Sequence, residues 1–494
     1  MMKKEHFFWR QLLLFAFLLV SLVALPVCDS GDDDDSDNDG TESDDDSSSP
    51  DDDNNDDDDD SGENTPQTAP EWFAQTYGLT LDHIHWGEFH AHTSYSVDAA
   101  VCDALSPSQA YAYADSDQES GLDFVGLSDH AEMPNDDAVP EQDENLWASL
   151  LRLGQEATRE GAGEPDPFIV FPGWEYTNTY GMGGLFTSET GYGHKNVVFR
   201  NFDSVPSARF GAFNVVSPLE AEDAQELWEK LADFGPACDG CPGDVLTIVH
   251  TPAQKGTVDA HDHRTDWNVM NPDFVRHVEI ISKWGNSEGF PPEDAACDQN
   301  DEPFDHDADA IDPDSAVRQI LYEHWIEDGN SDFILGFVGG TDTHDGTPGS
   351  PDPSNCDALP GELRGGITGI VSQKSDRDSL WENLWDRHTQ ASTAGGKTAV
   401  LFAVACGDES ALMGETIQCN QEAEIMVYAE GSVDYLEIVI NGCLADKVDG
   451  STLYRYSLPI DADQRGYIYV RAIRNNGTTL DMTWTSPVYL GNSE

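Results

Sequence analysis

The sequence predicts an α/β protein, a parallel sheet or barrel, followed by a small C-terminal β-sandwich. Three observations carry the prediction. From about Ala69, short apolar runs alternate with helix-patterned segments, which is the signature of βα units. Residues of metal-ligand type recur at the ends of those apolar runs. From about Thr398 onward the runs are strand-like, closely spaced and free of any evident helix, as in a small sandwich.

The chain begins with an export signal. "MMKKEHFFWR" carries the positive charges, and "QLLLFAFLLVSLVALPV" is a continuous apolar run ending at Cys28, somewhat short for a membrane span. Cys28 resembles the lipidated cysteine of bacterial lipoproteins, since an acidic tether follows it at once. The sequence departs from that pattern at Val27, where a small residue is usual, and at Pro26. Lipidation at Cys28, simple cleavage and a retained N-terminal anchor all stay open. Residues 1–28 are therefore assigned to export.

Residues 29–68 read as a linker. The tract "DSGDDDDSDNDGTESDDDSSSPDDDNNDDDDDSGENT" has no apolar residue to bury and dense charge of one sign, so it is expected to be extended and self-repelling. It lacks the spaced ligands and turn glycine of a dedicated calcium loop. The acidity is not confined to this tract. The full chain has 95 Asp and Glu against 24 Lys and Arg, a net charge of −71, which disfavours nucleic acid and anionic lipid as main partners. Solubility, in a salty environment for example, is the plain reading of that charge.

Residues 69–397 carry the alternation. "DFVGLSDH", "PFIVFPGWE", "KNVVFR", "DVLTIVH", "HVEIIS" and "FILGFVGGTDTH" read as strands. "SPSQAYAYADSDQESG", "ENLWASLLRLGQEATREG", "SPLEAEDAQELWEKLADFG" and "DPDSAVRQILYEHWIEDGN" read as helices, several with Ser or Asp near Pro at the start and Gly at the stop. Residues 398–494 form the predicted sandwich, with "AVLFAVAC", "EAEIMVYAEG", "DYLEIVINGC", "GYIYVRAIRNNG" and "SPVYL" among its strands. Its expected role is packing or shielding.

The cysteines fit an exported chain. Beyond Cys28 they are Cys102, Cys238, Cys241, Cys297, Cys356, Cys406, Cys419 and Cys443, an even number that favours disulfides. Cys238 and Cys241 in "ACDGCPG" have the spacing of half a zinc knuckle, but no second pair matches them, so disulfide bonding is expected there too.

The chemistry lies at the strand ends. His90 and His92 end the first strand, His130 ends "DFVGLSDH", Glu175 ends "FIVFPGWE", His250 ends "DVLTIVH", and Asp342 and His344 end "FILGFVGGTDTH". One histidine after a strand is ordinarily a hydrogen-bonded loop or core residue. Their repetition at one end of successive strands is different, because in an α/β sheet those ends share one face. Imidazoles and carboxylates together suit zinc, manganese or iron, and a carboxylate can bridge two ions.

These residues resemble the motifs of the polymerase and histidinol phosphatase (PHP) superfamily of metal-dependent phosphoesterases. "HAHTSYSVD" matches the first motif with His90, His92 and Asp98, "SDH" the second with His130, and "TDTH" the late motif with Asp342 and His344. "GWE" with Glu175, "GHKN" with His194 and "VHTP" with His250 follow in the right order. "GGITGI" and "QASTAGG" further resemble an exported branch described mainly as a domain of unknown function. The likeness spans roughly Leu81 to Thr398. It implies a distorted (β/α)7 barrel holding two or three divalent ions (Mn, Zn or Fe). By the same resemblance Glu175 bridges two ions, while His90, His92, Asp98, His130, His194, His250, Asp342 and His344 complete the ligand set. Asp129 is expected to orient a neighbour rather than bind metal.

Such a centre lowers the pKa of water from about 16 toward about 7 and neutralises ester oxygens. The expected activity is hydrolysis of a small anionic phosphoester outside the cytoplasm, with His90, His92, Glu175, His194, Asp342 and His344 at the chemistry. Sulfate or phosphonate esters, an amide, or a non-catalytic binding role on the same barrel are the alternatives. Basic residues are scarce, so Lys195, Arg200 and Lys283 are candidates to bind the anionic substrate; surface ion pairs are the plainer reading of each. His261 and His263 in "DAHDHR" could offer a general acid or line the substrate loop, but an ordinary exposed loop is the plainer reading. His83, His85, His277, His306, His324 and His388 have no strand-end argument and are expected to be structural. The stretch from Asn286 to Asp314 matches no motif.

Overall fold

The predicted first strand forms as β1 (Ile84–Glu88), which pairs in parallel with β2 (Phe124–Val125), itself parallel to β3 (Ile169–Val170). The contact between β1 and β2 is close enough to require glycine at Gly87, where a Cβ would lie 2.2 Å from the Phe124 carbonyl oxygen. The structure, a computed structural model, describes residues 68–494 apart from 101, 132–144, 162, 179–190, 213–218, 236–242, 255–263, 293–294, 296, 298–310, 352–363, 421, 432, 450–452, 460–464, 476, 478–479 and 492–494. Cys28, the acidic tract, Cys238, Cys241, Cys356, His261, His263 and His306 therefore lie outside the described residues.

A second sheet contains β4 (Gly173–Tyr176), β5 (Lys195–Phe199), β8 (Val245–Val249), β9 (Val275–Ser282), β10 (Gly285–Asn286) and β11 (Gly336–Gly339). Strands β8, β9 and β11 run parallel to one another. Strand β5 does not: it is antiparallel to both β4 and β8, against the parallel expectation. The reason lies in the connection. Parallel pairing needs a crossover, usually a helix, and the Gly- and Thr-rich segment between Tyr176 and Lys195 has no helical pattern. Two short strands, β6 (Phe210–Gly211) and β7 (Leu219–Glu220), form a separate ladder. Parallel bridges Ala91↔Thr343 and His130↔Glu175 join the two sheets just beyond β1 and β2.

The packing helices are α1 (Ala69–Thr76), α2 (Pro107–Asp115), α3 (Leu146–Ala157), α4 (Ala224–Leu231), α5 (Val317–Leu321) and α6 (Arg377–Trp385). Their starts follow the cap signals. Ser106 and Gln109 form a capping box at α2, and the side chains of Asn145, Asp223 and Asp376 accept backbone N–H bonds at α3, α4 and α6. The helix expected after Asp312 is shorter than its pattern, because α5 passes into a π-helical turn at Tyr322–Glu327.

After α5, β12 (Gly366–Val371) pairs antiparallel with β1, and β13 (Thr389–Thr393) pairs antiparallel with β12. The remaining strands are β14 (Val400–Cys406), β15 (Glu409–Leu412), β16 (Thr416–Ile417), β17 (Glu422–Ala429), β18 (Tyr435–Ile440), β19 (Cys443–Asp449), β20 (Leu453–Pro459), β21 (Gly466–Asn475), β22 (Leu480–Thr485) and β23 (Val488–Leu490). Strand β22 pairs with β13, so the sheet that contains β1 continues into the C-terminal strands. Strands β14, β15, β17 and β20 form a separate four-stranded sheet. Disulfides join Cys297 to Cys443 and Cys406 to Cys419, and Cys102 is also disulfide-bonded. Among the described residues no helix is long and apolar enough to cross a membrane.

One apolar cluster matters most for the site. Phe89, Phe124, Phe171, Val198, Leu246, Ile248 and Val338 meet Leu380, Trp381 and Leu384 of α6. These residues come from both sheets, so the cluster ties their strands to one base. Each large apolar side chain fully buried contributes about 1.5–3 kcal/mol.

Candidate metal centre

Strand direction brings the ligand-type residues to one end. His90 and His92 follow β1, His130 follows β2, Glu175 is on β4, His250 follows β8, and Asp342 and His344 follow β11. His194 instead immediately precedes β5. Because β5 is antiparallel, its beginning meets the ends of its neighbours, and the His250 N–H donates to the His194 carbonyl oxygen at 3.4 Å. Asp98 arrives from a helical turn, Val97–Ala100.

Local hydrogen bonds hold the loops in place. The His92 N–H donates to the Thr343 carbonyl and the Asp342 N–H to the His90 carbonyl. Asp342 has φ +51°, a left-handed conformation that Asp adopts at a modest cost. Beside it the Glu88 carboxylate accepts from the Thr341 N–H, the Thr341 hydroxyl and the Gly349 N–H. Asp129 accepts from the Thr93 N–H at 2.6 Å and from the Thr93 hydroxyl, so it braces the backbone next to His92.

The side chains form overlapping groups. His90 Nε2 lies 3.4 Å from Glu175 Oε2 and 3.2 Å from Asp342 Oδ1; His92 Nε2 lies 3.2 Å and 3.1 Å from the same oxygens. The other Glu175 oxygen, Oε1, lies 2.8 Å from His194 Nδ1 and 3.2 Å from His250 Nε2. Asp98 Oδ2 lies 2.8 Å from His130 Nε2 and 3.0 Å from His344 Nε2. Three sets, His90–His92–Glu175, Glu175–His194–His250 and His92–Asp98–His130–His344, are each tight enough to hold an ion. Glu175 belongs to two of them.

The donor set fits a divalent ion. Tetrahedral coordination at about 2.0–2.1 Å separates ligand atoms by roughly 3.3 Å, and the spacings around His90, His92, Glu175 and Asp342 are 3.1–3.4 Å. His90 Nε2, His92 Nε2 and Asp342 Oδ1 are buried and make no hydrogen bond among the described residues. Each such orphaned atom costs about 1–3 kcal/mol, and a shared cation would satisfy them together.

Charge couplings follow this crowding. Burial alone would raise the carboxyls of Asp98, Glu175 and Asp342, but the facing histidines, and for Asp342 also Lys283, outweigh it and hold all three well below the usual carboxylate range. Burial pushes His250 down to about 3. It would lower His92 too, yet the Asp342 and Glu175 carboxylates hold that imidazole up at about 9. A metal-free chain thus keeps the His92 proton from the ordinary value of 6.5 up to about 9, whereas a bound ion must displace it. Metal affinity is expected to rise with pH across this window, by about tenfold per unit for each proton displaced. The imidazolium's own contribution to the stability of the chelated protein is full below 6.5 and is lost as pH rises through about 9. Competition titrations with a chelator at several pH values check this, and an affinity flat between pH 6.5 and 9 would contradict it.

Of the three basic candidates, only Lys283 reaches the cluster. Its Nζ lies 2.5 Å from His344 Nδ1 and over the Trp284 ring, and the Trp284 indole N–H donates to Asp342 Oδ2. Lys195 is buried elsewhere: it donates to the Gly193 carbonyl at 3.0 Å and lies over the Trp228 ring. Strand alternation explains this, because His194 faces the cluster and its neighbour must face the other way. Arg200 pairs with Asp378 of α6 at 2.6 Å. At about 3.3 Å per strand residue it stands roughly 20 Å along β5 from His194. Neither side chain therefore faces this cluster, unlike Lys283.

Among the described residues, the histidines expected to be structural stay outside the cluster. His83 bonds Thr80, His85 the Ser372 carbonyl, and His388 Asn383. His324 stacks on Phe333, and His277 is fully buried on β9. Two contacts were not foreseen. His130 Nδ1 lies 2.8 Å from the Thr177 hydroxyl, and His90 Nδ1 lies 2.8 Å from Glu279 Oε2. An acid in the middle of the apolar run "HVEIIS" was the available signal for the second, since a lone buried carboxylate is costly unless paired.

Comparison with known proteins places the chain. The sequence profile of a family described as a protein of unknown function, DUF3604, matches residues 80–135 and 132–403. An uncharacterized protein of Chlamydia trachomatis is 25% identical over 244 residues, covering 46% of this chain and 36% of its own. An uncharacterized protein of Chlamydia pneumoniae is 24% identical over 377 residues, covering 71% and 51%. The chain thus spans between 36% and 51% of the length of these relatives. A crystal structure from Bacteroides vulgatus, of a two-domain protein containing a predicted PHP-like metal-dependent phosphoesterase, aligns at 14% identity with a TM-score of 0.37, over 80% of this chain and 92% of that one. With more than half of its length matched by the family profile, the chain belongs to the DUF3604 family.

Proposed function

We propose that the protein is an exported metal-dependent hydrolase of small phosphoesters, working at a centre of two or three divalent ions (Mn, Zn or Fe). The observation that supports this best is the shared Glu175. Its two oxygens face separate histidine sets, at 3.2–3.4 Å from His90 and His92 and at 2.8–3.2 Å from His194 and His250, as a carboxylate bridging two ions would. In this reading the strands whose ends carry the site belong to a distorted (β/α)7 barrel of residues 69–397, and residues 398–494 are an appended β-sandwich.

Ions held there would supply Lewis acidity, bringing the pKa of a water toward about 7 and offsetting the charge of an ester. The chain's own residues do the rest. His90, His92, Glu175 and Asp342 are buried. Asp98 and His130 are the more open members, with side chains 29% and 15% exposed, so the ester approaches from their side. Lys283, beside His344, is placed to hold an anionic oxygen of the substrate, while Trp284 fixes Asp342 by its indole N–H. Hydrolysis then forms a bond from the water oxygen to phosphorus and breaks the bond to the leaving oxygen, which departs as an alcohol with one of the water's protons. The Cys297–Cys443 and Cys406–Cys419 disulfides favour an oxidising compartment. Export by residues 1–28, with membrane attachment through Cys28 or an uncleaved N-terminus, completes the reading.

The test is turnover by metal-loaded protein against phosphate monoesters, phosphate diesters, phosphonate esters and sulfate esters in parallel. Phosphoester turnover is expected. Preferential turnover of sulfate or phosphonate esters would redirect the substrate assignment, and no turnover of any ester by a folded, metal-loaded preparation would overturn the enzyme reading.

A further inference from the structure

The contact between Glu279 and His90 has a geometry that packing does not require. β9 is paired on both sides, with β8 and β11, so the Glu279 backbone is fixed. Its Oε2 lies 2.8 Å from His90 Nδ1, with both side chains almost wholly buried. Its other oxygen, Oε1, makes no hydrogen bond among the described residues. The hydrogen bonding of this buried carboxylate is thus directed at one imidazole. The opposite ring nitrogen of His90, Nε2, faces Glu175 and Asp342. Gly340 leaves room for the pair: a Cβ there would lie 2.4 Å from Glu279 Oε2 and 2.5 Å from His90 Cβ.

We infer that Glu279 is a positioning residue: it accepts the His90 Nδ1–H bond, fixes the ring and its tautomer, and leaves the Nε2 lone pair directed between Glu175 and Asp342. A neutral imidazole carries one N–H and one lone pair, and the bond made by one nitrogen decides which is which. A carboxylate behind a metal-binding histidine also raises its basicity, and removing such a partner typically costs about 10–100-fold in metal affinity. His90, His250 and Glu279 are also close enough to form an ion-holding set of their own. A set held through His90 Nδ1 would require that nitrogen to lose its proton, which competes with the hydrogen bond to Glu279.

This role rests on the proposed metal centre, and its test separates the two. Zinc and manganese affinity and stoichiometry are measured by chelator competition and elemental analysis for the wild type, Glu279→Gln and Glu279→Ala, with circular dichroism to establish folding. A wild type that binds no metal would overturn the metal centre itself. With a metal-binding wild type, Glu279→Ala is expected to keep the ion count but to bind about 10–100-fold more weakly. Glu279→Gln, which retains an acceptor oxygen, should recover much of that loss. Wild-type affinity in Glu279→Ala, a loss of one ion per chain, or no recovery in Glu279→Gln would each overturn the positioning role. If Glu279→Ala fails to fold, Glu279→Gln against the wild type decides: a modest loss at full stoichiometry supports the role, and a missing ion refutes it.

Discussion

Glu175→Ala is expected to remove most of the bound metal and to lower turnover by at least about 10³-fold, which is about 4 kcal/mol at 1.36 kcal/mol per factor of ten. The size follows from its double membership. Glu175 Oε2 faces His90 and His92, and Oε1 faces His194 and His250, so one substitution removes a ligand from two sets. It also removes a carboxylate that, with Asp342, holds the His92 imidazole protonated in the metal-free chain. Elemental analysis and steady-state kinetics on the folded variant check this. Full metal content, or activity within a few-fold of wild type, would remove Glu175 from the centre.

Gly340→Ala should be the most damaging addition of a single methyl near the site. The added Cβ would press on His90 and Glu279 at 2.5 Å and 2.4 Å, on a segment whose neighbour Thr341 is bonded to Glu88 by both its N–H and its hydroxyl. Overpacking of this kind costs about 1–3 kcal/mol. Because the displaced atoms are His90 and its partner, metal affinity should fall together with stability. Denaturant unfolding with and without chelator separates the two: the variant should be less stable in both conditions and should gain less from metal than the wild type. Wild-type stability and metal gain would show that His90 and Glu279 do not depend on this close approach.

Much of this site was legible because strand ends converge. His90, His92, His130, Glu175, His250, Asp342 and His344 could be gathered from their positions after apolar runs, without contacts. His194 could not be gathered that way. It precedes its strand, and the pattern of "KNVVFR" is the same for either strand direction, so only the lack of a helical sequence pattern between Tyr176 and Lys195 hinted at the reversal. Alternation along the extended chain entering β5 separates His194 from Lys195, which turns to Trp228, and strand length carries Arg200 away to Asp378. Glu279 was hidden for a different reason: it lies in mid-strand, and its partner His90 is 189 residues distant. The continuity of the β1 sheet through β13 into β22 was equally closed to a reading of local periodicity, which marks strands but not their neighbours.

The most direct test of the metal centre is the metal content of the purified, folded chain after equilibration with manganese or zinc and removal of free ion, compared with the variant carrying both His90→Ala and His92→Ala. Two or three tightly held ions per wild-type chain are expected, with a loss of ions in the double variant. A folded wild type that holds none, or a double variant that holds the full complement, would contradict the metal centre.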